Sequence, residues 1–428
     1  MKEVVIVSGK RTAIGSYGGT LKTTPVVDLG AEVLKKTLQA AGLQPVSSDE
    51  CLKFGADKIR DEGQVELERR YYDYDTGAQP VAIDQVIMGN VLGAGQGQNV
   101  ARQAMIKAGI PKETCATSIN KLCASGMEAV ALAVQAIRCG DADIILAGGM
   151  ENMSLVPYGL PAARWGQRMG DAAMVDLMVF DGLHEIFYGY HMGMTAENIA
   201  AKYGISRHDQ DEIGALSHQR AIDAIAKGLF KDEIVPIAIP QRKGEPQIFV
   251  VDERPMQTSV DKMAKLRPAF KKDGSVTAGN ASGLNDAAAS LLLMSADKAR
   301  DLGLKPLVRI KAHASAGLDP AYMGLGPIPA VRKIMAKHKL AIDDFAAIEL
   351  NEAFAAQAIA CIRELGCDMD KTNTLGSGIS LGHPIGCTGA RILVTLMHQM
   401  QRNNQALGLA SLCIGGGQGM AMVLELAD

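Results

Sequence analysis

The 428-residue sequence predicts an α/β fold of two similar halves with a largely helical segment inserted between them. Three observations carry this. Short apolar, β-branched runs such as Val4 to Val7 and Val86 to Met88 alternate with helical patterns, as buried strands do in layered α/β proteins. The strand signals stop near Met150 and return at Ala289 to Met294, with helical patterns, methionines and glycines between. The same order of signals then starts again at Leu307.

Composition narrows the class. The chain is 47% apolar and 21% charged with a net charge of −3, so no basic field invites nucleic acid. No apolar run reads as a membrane span. Eight cysteines show neither C-x-x-C nor paired metal-ligand spacing, which predicts reduced thiols and a cytoplasmic setting. A strand already at residue 4 is expected to leave no signal or transit segment ahead of the fold.

Taken in order, Val4 to Val7 is the first strand, and Ser8 to Thr12 is expected to turn out of it. Thr24 and Pro25 predict a helix start, Thr as cap and Pro in the first position, with Gly42 as its end. Pro45 to Ala78 is charged and carries Tyr71, Tyr72 and Tyr74, and it reads as a solvated surface excursion. Val86 to Val91 is a strand, and the glycines of Gly93 to Asn99 read as a packing turn rather than a phosphate loop. From Met127 to Ile137 only Glu128 and Gln135 are polar, which predicts a helix buried on nearly all sides. Ala142 to Ala147 is the next strand, ending at Gly148 and Gly149. Ser206 and Asp209 predict a capped helix running to Lys227.

The second half repeats the first. Leu307 to Ile310 answers Val4 to Val7, and Ala347 to Leu350 followed by Asn351 answers Val86 to Gly89 followed by Asn90. Leu409 to Ile414 with Gly415 to Gly417 answers Ile144 to Gly149. The spacing agrees: Asn90 to Cys123 is 33 positions and Asn351 to His383 is 32. The domains predicted are 1–155, completed by 276–303, then an inserted 156–275, then 304–428.

This repeat bears on chemistry. A lone cysteine is more often a small buried hydrophobe than a nucleophile. Cys123, however, stands just before the buried helix, where the helix dipole favours a thiolate. His383 stands at the matching corner of the second half, and Cys413 precedes three glycines. Cysteine with a histidine base makes a nucleophile, and glycine backbone beside it leaves N–H groups for an oxyanion.

The motifs N-K-L-C-A-S-G (Asn120 to Gly126), A-G-G-M-E-N-M-S (Ala147 to Ser154) and Y-H-M-G-M-T-A-E-N (Tyr190 to Asn198) resemble those of the thiolases. So do T-A-G-N-A-S-G-L-N-D (Thr277 to Asp286), N-E-A-F-A-A-Q (Asn351 to Gln357), G-H-P-I-G-C-T-G-A-R (Gly382 to Arg391) and C-I-G-G-G-Q-G (Cys413 to Gly419). The resemblance spans nearly the whole chain. It implies a thiolase-like α-β-α-β-α layering, with a loop domain as the inserted segment. It also implies condensation of two acetyl-CoA to acetoacetyl-CoA and CoA, and the reverse cleavage, without a cofactor.

Under the resemblance Cys123 takes the acyl group, His383 is its base, and Cys413 moves the α-proton of the second acetyl-CoA. Asn351 holds a water that, with His383, faces the enolate, and the N–H groups of Cys123 and Gly415 face the other oxyanion. Ser282 and Ala278 match the coenzyme A side of the site. His191, Met192, Phe270 and Met323 match the wall of a small acyl pocket. The resemblance also implies a homotetramer or homodimer.

Two departures qualify the match. The family's N-x-N-G-G before G-H-P is here Asn373 to Gly378, N-T-L-G-S-G, and the Pro45 to Ala78 segment is longer than the usual connector. Arg254 precedes Pro255, which leaves nucleotide contacts unassigned. The rival readings are a thiolase for longer 3-ketoacyl chains, a decarboxylating condensing enzyme, and a non-catalytic acyl-CoA-binding protein.

Overall fold

The computed structural model describes residues 2–60 and 62–427. The first half contains β1 (Val4–Thr12), α1 (Val26–Ala40), β2 (Gln85–Gly89), α2 (Val100–Lys107), β3 (Cys115–Ile119), α3 (Ser125–Cys139) and β4 (Ile144–Asn152). After α4 (Gly193–Tyr203) and α5 (Arg207–Ala226) of the inserted segment, β5 (Asn285–Ser295) completes it. The second half contains β6 (Val308–Gly317), α6 (Pro327–His338), β7 (Ala347–Leu350), α7 (Ala355–Leu365), α8 (Ile385–Asn403), β8 (Leu407–Ile414) and β9 (Gln418–Leu426).

These strands lie in the order β7-β8-β9-β6-β1-β5-β4-β2-β3. The order is a palindrome of the repeat. In the first half β2 runs parallel to β3 and β4, while β4–β5 and β5–β1 are antiparallel. In the second half β7 runs parallel to β8, while β8–β9 and β9–β6 are antiparallel. A parallel bridge from Ile348 to Thr372 stands where β3 stands against β2. Among the described residues the half-sheets are joined where Val5 and Ile6 of β1 pair with Arg309 and Val308 of β6.

Period-two alternation builds the layers. Val4 and Ile6 join a central core with Ala289, Leu291 and Leu293 of β5 and Ala410, Leu412 and Ile414 of β8. Val5 and Val7 face the opposite way, into a core shared with α1 and α2. Leu409, Ala421 and Val423 face another outer core with α6. The central layer is α3 and α8, covered by both half-sheets. Their backbones nearly touch: a Cβ on Gly126 would lie 2.7 Å from the Ala390 nitrogen, and one on Gly389 2.4 Å from that of Met127. Leu122–Cys139 is long and apolar enough to cross a membrane by composition alone, against the sequence expectation, but here it is core.

Several boundaries differ from expectation. β1 does not turn at Ser8 but continues to Thr12, because Ser8 to Arg11 pair with β5. β4 likewise runs through Gly148 and Gly149 to Asn152, with β5 pairing on one side. Pro25, not Thr24, is the N-cap of α1, and no side chain caps it. Ser206 caps α5 as expected, with Asp209 returning the bond to its N–H. The inserted segment is less helical than expected. Among its short strands, Ile234–Val235 runs parallel to the end of β1, and Arg11 binds Glu233 and Asp252 behind it. The Pro45–Ala78 excursion is exposed for much of its length but pinned at two buried points. The Glu68 carboxylate accepts from the Lys112 N–H at 2.7 Å, and the Tyr74 hydroxyl donates to Ala108 O at 2.7 Å.

Candidate active site

Cys123 sits two residues before α3, on a strained turn. Leu122 has φ of 49°, unusual for a bulky residue and of the kind that collects at functional sites. Its neighbours hold it there. Asn120 Oδ1 accepts the Leu122 N–H at 2.9 Å, and the Ser125 hydroxyl donates to Leu122 O at 2.7 Å. The same hydroxyl oxygen accepts the Lys121 N–H at 2.8 Å. Thus Asn120 and Ser125 of N-K-L-C-A-S-G fix the turn, while the Lys121 side chain binds Glu128 and Ser315.

The Cys123 thiol is buried, and the N–H groups of Gly415 and of Cys123 itself are placed to favour its thiolate. Gly415 lies in the three-residue glycine turn between β8 and β9. A Cβ there would fall 2.2 Å from Met192 Cε and 3.1 Å from Leu122 Cδ1, so this turn packs directly on the residue before Cys123. Burial pushes the Cys123 thiol up to about 11, and the carboxylate of Glu151 adds to it, against the pull of the two N–H groups. The helix-terminus thiolate expected from sequence is therefore not the resting form. Desolvation outweighs the dipole.

His383 sits at the corresponding place before α8 and is buried. Its N–H donates to Asn285 Oδ1 at 2.9 Å. The Thr388 hydroxyl donates to Pro384 O at 2.9 Å and lies 2.7 Å from His383 Nδ1. Its one proton is used on the carbonyl, so it accepts from Nδ1–H. That tautomer leaves Nε2 as the basic nitrogen. Nε2 and Asn351 Oδ1 are both buried without a hydrogen-bond partner among the described residues, and Asn351 Nδ2 lies 3.4 Å from Nδ1. Burial, then the charge of Arg391, pushes His383 down to about 3. The base is neutral at pH 7.

Cys413, fully buried, is pushed well above its ordinary value by burial, then by coupling to Cys123 and Cys361. Both cysteines adjoin the Gly415 turn: Cys413 lies two residues before it, and Cys123 follows Leu122, which packs on it. Cys413 also belongs to an apolar cluster with Met192, Met323, Ala281 and Phe354, against which Phe270 packs. His191 stacks on Phe270 at 4.6 Å, and Phe270 meets Phe354 edge-on at 6.2 Å. His191 Nδ1 accepts the Gly193 N–H at 3.0 Å, which puts its proton on Nε2. Burial, then His184, lowers its pKa.

Ser282 is half-buried, with its N–H on Ala353 O at 2.9 Å, and Ala278 is exposed. Between them in the same loop Ala281 bridges to Phe354 and joins the apolar cluster that holds Cys413. Arg254 is not a free cation: Nε donates to Ile379 O at 2.7 Å and Nη2 to Ala281 O at 3.0 Å, which ties down that loop.

Four supporting residues escaped the sequence reading. Thr388 sets the His383 tautomer and Asn285 holds its backbone. Asn373 pairs with both backbone groups of Leu350, at 2.8 Å each, and so places Asn351 despite the departure from the usual loop. Glu151 accepts from the N–H groups of Val91, Leu92 and Gly386. All four are polar residues inside apolar motifs. Polarity at a buried position is the one signal that could have flagged them.

Known proteins resemble this chain over nearly its whole length. A family model described as "Thiolase, N-terminal domain" matches residues 4–71 and 72–297, and "Thiolase, C-terminal domain" matches 304–426. An acetyl-CoA acetyltransferase of Pseudomonas aeruginosa is 52% identical, covering 99% of each chain. That of Escherichia coli is 48% identical over the same share. The crystal structure of the Bacillus anthracis acetyl-CoA acetyltransferase superposes with a TM-score of 0.88 at 41% identity, covering 100% of this chain and 99% of that one.

Proposed function

The chain belongs to the thiolase family, and on that premise we propose that it is an acetyl-CoA C-acetyltransferase. It joins two acetyl-CoA into acetoacetyl-CoA and CoA, reversibly, by ping-pong acyl transfer. No cofactor is needed, since the coenzyme A thioesters are themselves the substrates.

The Cys123 thiol attacks the thioester carbonyl while His383 Nε2 takes its proton. The N–H groups of Cys123 and Gly415 hold the oxyanion. The CoA thiolate leaves with the Cys413 proton, so acetyl-Cys123 faces a Cys413 thiolate and a His383 imidazolium. The thiolate removes the α-proton of the second acetyl-CoA, and His383 and Asn351 stabilise the enolate. The enolate carbon attacks acetyl-Cys123, whose sulfur leaves and recovers the proton from His383. Each group ends in its starting form.

One observation carries this reading: the glycine turn that follows Cys413 packs on Leu122, so two buried cysteines and the Gly415 N–H meet at one place. The stacked His191 and Phe270 with Met192 and Met323 suit a short acyl group. Mass spectrometry after brief exposure to acetyl-CoA should find an acetyl group on the Cys123 peptide, and its absence would sink the mechanism. A kcat/KM series of 3-ketoacyl-CoA chain lengths should peak at acetoacetyl-CoA. A peak at longer chains would make the enzyme a broader 3-ketoacyl-CoA thiolase.

The same proposal includes a homotetramer or homodimer in the cytoplasm. The exposed Trp165 (86%), Met169 (92%) and Met174 (64%) of the inserted segment and the open edge of β3 suit subunit contact. Eight free cysteines suit a reducing compartment. Light scattering and cell fractionation test these two points.

A further inference from the structure

The strand registers expose a correspondence that the motifs hide. Met88 and Gly89 of β2 pair with Gly148 and Gly149 of β4, while Glu349 and Leu350 of β7 pair with Ala410 and Ser411 of β8. Two residues further along each partner strand stand Glu151 and Cys413. The first half therefore holds a buried carboxylate where the second holds a cysteine of the site.

Glu151 is fully buried and saturated with donors. Oε1 accepts from Asn90 Nδ2 at 3.0 Å and the Leu92 N–H at 3.1 Å. Oε2 accepts from the Val91 N–H at 3.1 Å and the Gly386 N–H at 2.8 Å. Three donors come from the loop after β2. The fourth is the second residue of α8, an N–H with no partner inside the helix, three residues past His383. A carboxylate is also favoured at a helix N-terminus. A Cβ on Gly386 would lie 2.5 Å from Oε2, so the contact requires glycine there.

We propose that Glu151 is a positioning residue for acyl transfer, clipping the turn that carries His383 to the half that carries Cys123. This rests on the reading of Cys123 as nucleophile and His383 as base. Only an ionised carboxylate accepts four donors and offers none, so a protonated Glu151 or a glutamine turns a donor toward an N–H. The titratable groups facing it are Asp286 from β5, Cys123 before α3 and Cys387 within α8. Burial, reinforced by Asp286, holds Glu151 near 7, while His383 stays neutral far below that. The clip therefore loosens as pH falls through about 7, in a range where the base does not titrate.

The test is single-turnover acetylation of Cys123 between pH 5.5 and 8.5, quenched and read by mass spectrometry. Wild type should show a low-pH limb near 7, which Asp286→Asn keeps but moves to lower pH, since the Asp286 charge helps to raise Glu151. Glu151→Gln should acetylate ~10²-fold more slowly at pH 8, the scale of a small misplacement of reacting groups, without that limb. Its KM for acetoacetyl-CoA should stay within about threefold of wild type. Gly386→Ala, which crowds the carboxylate, should also slow acetylation and serves if Glu151→Gln does not fold. Wild-type speed in both variants, a limb that survives Glu151→Gln, or a wild-type profile flat from pH 6 to 8 would overturn the proposal. If wild-type Cys123 takes no acetyl group at any pH, the nucleophile reading fails and the proposal with it.

Discussion

The two halves share a strand-loop-helix corner and fill it differently. The first puts Cys123 before its helix and the satisfied acid Glu151 on the neighbouring strand. The second puts His383 before its helix and Cys413 on the strand. Their buried charges differ too. Glu151 has four donors, whereas among the described residues Glu349 of β7 has a single 3.3 Å bond to Arg391, with Glu349 Oε1 and Arg391 Nε and Nη2 unpartnered. Burial pushes Glu349 up to about 8 despite Arg391, whose charge also bears on His383. The repeat gives two similar frames, and on the proposed function their different buried polar residues would give the first half the acyl group and the second the proton transfers.

That division can be broken at its strongest point first. Cys123→Ser should lower condensation and thiolysis by more than about 10⁴-fold, since an alcohol in the same buried site is a far weaker nucleophile. Residual turnover near wild type would remove the first half from the chemistry. Cys413→Ser should separate the two sides. Acetylation of Cys123 should persist within roughly tenfold, while condensation, which lacks its α-proton base, falls by ~10³-fold. Equal losses in both half-reactions would deny the second half its separate task.

His383→Asn should slow acetylation itself by ~10²-fold, the worth of a general base. A smaller effect is expected from Thr388→Val, which releases the Nδ1 proton from its acceptor and lets the wrong tautomer form. A loss of about tenfold in kcat with little change in KM would sharpen the view that the second half tunes its histidine from behind.

The smallest effect is on stability. His383 is depressed in the fold, so below its unfolded value of about 6.5 the unfolded chain binds a proton that the folded chain refuses. This stability is present above pH 6.5 and lost as pH falls. Between pH 6.5 and 5 the loss is about 2 kcal/mol for this one group. Urea midpoints at pH 7 and pH 5 should drop less in His383→Asn than in wild type. An equal drop would mean that His383 is not held neutral by its surroundings.

What could be read from the chain alone was whatever depends on local pattern. The strand and helix periods, the capped start at Ser206, the repeat, and Cys123 and His383 before their helices all follow from residues near one another in sequence. The motifs carried the rest of that reading to Asn351, Cys413 and Gly415. Only the tertiary structure decided how the groups behave. The Cys123 thiol and the His383 imidazole rest neutral because both are buried, which for Cys123 outweighs the helix terminus, and the burial of a single polar group at a turn is not marked by local pattern. β1 and β4 run past their glycines because a partner strand takes their hydrogen bonds. Glu151 looked like one more motif residue, yet its four donors arrive from segments about sixty and more than two hundred positions away. Local order is set by neighbours in the chain, whereas charge state and saturation of a buried group depend on everything the fold packs around it.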